Sequence, residues 1–169
     1  MARMWTLKCG VHGQLSQSST ASPACGNDHA IVRVVAAGLQ GGAWRELADG
    51  EALPNRALGE YPSPLLVGIV QDPSGEQSSL VGQAVAIMPA VACGTCAACV
   101  RGEALACQSP TRAGFRPPCV LAETLVVPAS NLVTLVPGRR LEEATLVGTA
   151  AGVLRAVRQA RVCIGESVA

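Results

Sequence analysis

Apolar and polar residues follow two regimes along this chain. Up to about residue 140 the apolar residues gather in short runs punctuated by Gly, Pro, Ser and Asp; beyond it they recur every three or four positions. Ile31-Val32-Arg33-Val34-Val35-Ala36 is β-branched, partly alternating and closed by Gly38, which predicts a strand. Leu65 to Val70 reads as a buried strand ended by the turn signal Asp72-Pro73-Ser74-Gly75, and Ala84 to Met88 reads as another. Cys119 to Val127 and Leu132 to Val136 add two more, each bounded by Pro or Gly. The Ser-rich opening, Met1 to Asp28, alternates weakly at Trp5-Thr6-Leu7-Lys8 and predicts one short strand or hairpin followed by loop. Gly41 to Pro64 reads as loop with one helical turn near Trp44 to Ala48. Short strands at this spacing predict a small β-barrel.

The tail is helical by period: Leu141, Ala144, Val147, Ala151, Leu154 and Val157 share one face. Glu142 and Glu143 suit a helix start, and Arg155, Arg158 and Arg161 suit an end and a solvated face. Gly148 and Gly152 are expected to break the segment into two helices, and Val162 to Ala169 reads as the approach to a further strand. The fold class is therefore mainly β with C-terminal helices.

A length of 169 residues predicts one domain, large enough to bury roughly 70% of its unfolded surface without disulfides. A formal charge of +1 argues against a nucleic-acid partner, as does the shortage of aromatics, which are Trp5, Trp44, Tyr61 and Phe115 alone. No membrane association is expected either, because no segment approaches the ~20 apolar residues of a span. The longest candidate, Ala84 to Ala92, contains Pro89. Met1 to Gly10 lacks the apolar stretch of a signal peptide, so a cytoplasmic location is expected. There, cysteines serve as metal ligands or thiols rather than disulfides.

Four of the eight cysteines, Cys93, Cys96, Cys99 and Cys107, form the pattern C-x2-C-x2-C-x7-C. Two-residue gaps let successive thiolates converge on one ion while intervening N–H groups donate to sulfur. The longer gap brings the chain back to close a tetrahedron, the arrangement Zn²⁺ accepts at ~2.3 Å from each sulfur. Four protein ligands leave no open position, so such a zinc is structural. An iron–sulfur run would want a short last step before Pro, and a redox C-x-x-C would want a thioredoxin-like βαβ setting. Four unrelated buried thiols are the remaining alternative. The spacing favours zinc over all three.

The stretch from Val91 to Gln108, VACGTCAACVRGEALACQ, resembles the structural-zinc lobe of the zinc-dependent medium-chain alcohol dehydrogenases. Its flanks agree. Val32 to Gly38 resembles the strand before that family's catalytic-zinc loop. Ala122-Glu123 and Leu125 to Ala129 resemble its A-E-Y-hydrophobic-Pro-Ala segment, with Thr124 in place of the tyrosine. Leu132 to Gly138 and Leu141 to Ala144 continue the match, and Gly165-Glu166-Ser167-Val168 resembles the motif that opens the cofactor domain. The resemblance implies a GroES-like β-barrel over residues 1–140 with a projecting zinc lobe at about 91–110. Residues 141–169 would form a helical connector and the start of a nucleotide-binding domain that the chain does not continue.

Departures from the family pattern bear on activity. Where the family places a zinc-binding Cys in G-x-C-G-[ST]-D, this chain has Gln40 within Gly38-Leu39-Gln40-Gly41-Gly42-Ala43. Ser63-Pro64-Leu65-Leu66 lacks the His and Glu of the second ligand motif, and Thr149 stands at the third position. No catalytic residue is therefore nominated. Cys25 and His29 are read as structural or surface residues, and Cys9, Cys119 and Cys163 as small buried hydrophobes. No G-x-G-x-x-G follows a strand, since Gly148-x3-Gly152 has the wrong spacing, so NAD(P) would bind only if another chain supplied a Rossmann domain.

Three readings follow: a structural-zinc domain of the oxidoreductase family without independent dehydrogenase activity, the substrate-side half of a split NAD(P)-dependent enzyme, or a non-catalytic interaction module. The last would use Val153, Leu154 and Val157 on the terminal helix, in a homo-oligomer or against a Rossmann-domain partner.

Overall fold

The computed structural model describes residues 3–9, 15–22, 24–26, 28–39, 65–73, 77–112, 119–161, 163 and 165–166. The Ser-rich opening folds as a hairpin, β1 (Arg3–Cys9) against β2 (Leu15–Ala21), in the register Arg3↔Ala21 to Cys9↔Leu15. β8 (Cys119–Ala122) pairs with the other edge of β1 and completes a three-stranded sheet in the order β2-β1-β8. The second sheet is five-stranded, with the order β10-β5-β4-β3-β9. It comprises β3 (His29–Gly38), β4 (Leu65–Pro73), β5 (Ala84–Ile87), β9 (Thr124–Pro128) and β10 (Leu132–Thr134). Every pairing among the described residues is antiparallel.

Alternation explains which side chains go inward. In β3, Ala30 and Val32 are buried while Arg33 is exposed; in β9, Leu125 and Val127 are buried between half-buried neighbours. These four join Leu66, Val70, Val85, Ile87 and Ala122 in one core. Val67 is fully buried from the opposite face of β4, so the centre of the sheet is covered on both sides. The core is aliphatic, and each fully buried valine contributes roughly 1.5–3 kcal/mol of transfer free energy. At the middle of β4, Gly68 lets two strands close up, since a Cβ there would lie 2.3 Å from the Arg33 carbonyl oxygen.

The β3–β4 ladder shifts register at Ile31/Val32 and at Val34/Ala36. Such bulges bend and twist a strand, and they curl this sheet into a half-barrel. The apolar run predicts one strand over Cys119 to Val127; the chain instead changes sheet at Glu123. Its carboxylate accepts the Trp5 N–H at 2.7 Å, its own N–H donates to the Trp5 carbonyl at 3.3 Å, and its carbonyl accepts the Val34 N–H at 2.8 Å. One residue thereby links β1 to β3 and joins the two sheets.

The C-terminal segment breaks at a different place from the one its glycines suggest. Helix α2 (Leu141–Ala144) ends at Thr145, whose buried hydroxyl donates to the Glu142 carbonyl at 2.6 Å. Helix α3 (Val147–Ala160) then runs unbroken through Gly148 and Gly152. Packing explains the first of these, because a Cβ on Gly148 would lie 2.7 Å from Leu65 Cδ1 at the start of β4. The expected helical turn near Trp44 to Ala48 lies outside the described residues, as does most of the expected strand approach after Val162.

Candidate metal centre

The cysteine segment leaves the half-barrel through a narrow neck. β6 (Ala90–Val91) pairs with β7 (Thr111–Arg112) in the register Ala90↔Arg112 and Val91↔Thr111. Between them the chain makes two reversals. Gly94 adopts φ +76°, a left-handed conformation that glycine enters without a Cβ penalty, immediately after Cys93. This turn lets the Cys96 N–H donate to Cys93 Sγ at 3.4 Å. Helix α1 (Ala97–Val100) presents Cys99 and then stops in a Schellman turn. There the Gly102 N–H, at φ +80°, donates to the Cys99 carbonyl at 2.9 Å, and the Glu103 N–H to the Ala98 carbonyl at 2.9 Å. The reversal directs Ala104–Ala106 back toward the cluster, where Cys107 Sγ accepts the Cys93 N–H at 3.2 Å.

All four Sγ atoms lie within 4.8 Å of one another. The Cys93–Cys99 and Cys96–Cys99 sulfur separations are 3.9 and 3.5 Å. Tetrahedral ligands on ~2.3 Å bonds stand ~3.8 Å apart, so the spacing fits one zinc ion. All four cysteines are half-buried.

Electrostatics favour the same reading. Backbone N–H donation from Thr95 and Cys96 lowers the Cys93 thiol to about 6. The Gln108 N–H, with that of Cys99, also lowers Cys96. Cys99 moves the other way, raised to about 12 by desolvation and by the Cys96 thiol beside it. Thiolates packed this closely repel, and a divalent cation is what would let all four ionise together. Zinc bound here would cross-link the lobe and offer no open coordination position.

Among the described residues no other group of three or more His, Cys, Asp or Glu could hold a metal. Cys25 Sγ lies 3.3 Å from the His29 carbonyl oxygen, a local turn contact that suits the structural reading of this pair. Cys163, expected to be a small buried hydrophobe, is exposed, because the chain has left the half-barrel by that point. The same expectation for Cys9 and Cys119 concerns side chains outside those described. Gln40 and Ser63 also lie outside the described residues, whereas Thr149 sits exposed on α3. Sequence reading missed Asn131, whose side chain holds the approach to the lobe. Its only signal was a polar residue between two apolar runs.

The alcohol dehydrogenase GroES-like domain matches residues 26–138, and the chain belongs to that family. It is 28% identical over 171 residues to the L-galactonate-5-dehydrogenase of Escherichia coli (strain K12), covering 99% of this chain and 49% of that protein. It is also 28% identical over 137 residues to the L-threonine 3-dehydrogenase of Pyrococcus horikoshii, covering 78% and 38% respectively. An Escherichia coli oxidoreductase/dehydrogenase of unknown specificity superposes with a TM-score of 0.78 at 23% identity, over 98% of this chain and 49% of that one. A cobalt- and zinc-bound alcohol dehydrogenase from Pyrobaculum aerophilum gives 0.64 at 22%, over 86% and 45%. The half-barrel is thus GroES-like, and the chain spans about half the length of these relatives. No helix among the described residues is long and apolar enough to cross a membrane.

Proposed function

We propose that Cys93, Cys96, Cys99 and Cys107 bind one structural zinc, and that the chain serves as the substrate-side domain of an alcohol-dehydrogenase-like fold, without dehydrogenase activity of its own. The carrying observation is the convergence of four sulfurs within 4.8 Å, with backbone N–H bonds to Cys93, Cys96 and Cys107 among them. In this reading residues 1–140 are the barrel, about 91–110 the zinc lobe, and 141–169 a connector. Thiols kept reduced for a metal suit the cytoplasm. Metal analysis of the purified chain tests the site: one zinc per chain supports it, and thiols paired as disulfides or metal-free refute it.

A second reading is favoured by the relatives' double length and by α3. Val153, Leu154 and Val157 are 60%, 50% and 44% exposed, an apolar row that suits a docking surface. Dehydrogenation, the activity in the relatives' names, would in this reading use NAD(P) on a Rossmann domain against this surface, supplied by a partner chain or a longer polypeptide. Co-purification followed by an NAD(P)H-consumption assay decides it. Turnover that appears only with a Rossmann-bearing partner supports the split enzyme, and no partner with no turnover eliminates it.

A further inference from the structure

Asn131 is buried at the end of the single turn Ala129–Asn131, just before β10. Its Nδ2 donates to two main-chain carbonyls, Met88 at 3.0 Å and Ala90 at 2.7 Å, and its main-chain carbonyl accepts the Met88 N–H at 2.8 Å. Both side-chain partners are acceptors, which fixes the amide with its nitrogen inward. These bonds clasp either side of Pro89, on the segment that becomes β6 and reaches Cys93 three residues later. A cavity of about 400 Å³ separates barrel from lobe here, lined by Met88, Ala90, Cys99, Cys107 and Asn131 among others. The neck is held both by Val91, which packs against the core, and by these polar bonds.

We propose that Asn131 is a positioning residue for the metal centre: it fixes the strand that presents Cys93 and so keeps the four sulfurs at zinc spacing. The proposal rests on the structural-zinc reading above. Loss of both donors cuts the ties from this buried amide to the Met88 and Ala90 carbonyls and leaves the neck free to open. Asn131→Asp keeps the shape but turns both donors into acceptors.

The test compares zinc release to a colorimetric chelator from the wild-type chain, from Asn131→Asp and from Leu125→Ala, a core variant remote from the lobe. Each is assayed where its far-ultraviolet circular dichroism remains native. Asn131→Asp is expected to release zinc on the order of tenfold faster and to alter the thiolate bands of the cobalt-substituted protein. Leu125→Ala, though it lowers the melting temperature, is expected to release zinc at close to the wild-type rate. Release from Asn131→Asp at the wild-type rate overturns the proposal. Equal acceleration in both variants also overturns it, because the effect would then be one of global stability. Should Asn131→Asp fail to fold, Asn131→Ser, which retains one donor, is read by the same criteria. A wild-type chain that takes up no zinc refutes the metal reading itself, a result distinct from the other two.

Discussion

Serine in place of Cys96 removes one sulfur while preserving the Cys96 N–H bond to Cys93 Sγ. The variant is expected to bind far less than one zinc per chain and to show the thermal stability of the chelated wild type, as read by metal analysis and calorimetry. Gly68→Ala probes packing instead. Its methyl would collide with the Arg33 carbonyl and with Val32 Cγ1, so denaturant titration should show a loss of about 1–3 kcal/mol without loss of zinc. Glu123→Ala removes the carboxylate that bridges to β1 and is expected to cost about 1–2 kcal/mol in the same titration. The three residues differ in legibility. Cys96 could be read from the chain because its partners are a few residues away. Gly68 and Glu123 could not be assigned roles, since each meets a strand distant in sequence.

The lobe's electrostatics make its loading dependent on pH. Protons and metal compete for the same sulfur lone pairs, so affinity falls as pH falls. Cys93, lowered to about 6, holds a thiolate down to that pH, whereas Cys99, raised to about 12, must lose a proton when metal enters. Zinc uptake near pH 7 is therefore expected to release protons, measurable by calorimetry in buffers of different ionisation enthalpy. Below about pH 6 the Cys93 proton joins this competition, so zinc affinity should fall more steeply with falling pH there. Elements were otherwise legible where their period was regular: β3, β5 and β10 fall close to where alternation and turn signals put them, whereas β4 runs on through Asp72 and Pro73 of the expected turn because β3 pairs with both. The helical break falls at Thr145 and Leu146 rather than at the glycines, because a glycine can serve packing as well as a bend. Gly148 meets a packing demand from Leu65, and the turn is closed by the Thr145 hydroxyl.

Across the whole molecule, the cysteine lobe and the aliphatic core are built from different residues. None of the nine residues in the core cluster is a cysteine, so chelation is expected to expose the amides of residues 93–107 to hydrogen exchange. Those of β3 and β4 should stay protected. On α3, Leu154→Glu changes a side chain that is half exposed. It is expected to move stability by less than about 0.5 kcal/mol and to reduce any self-association seen by sedimentation velocity.

Two things were written in the chain itself: the sulfur spacing and the succession of short strands ending in a helix. Both depend on neighbours within a turn or two, where backbone geometry leaves few choices. Which strand lies beside which, how Glu123 carries the chain from one sheet to the other, and how Asn131 reaches back 43 residues to Met88 were decided only on folding. Those pairings join residues far apart in sequence, and each satisfies main-chain groups that no neighbour along the chain reaches.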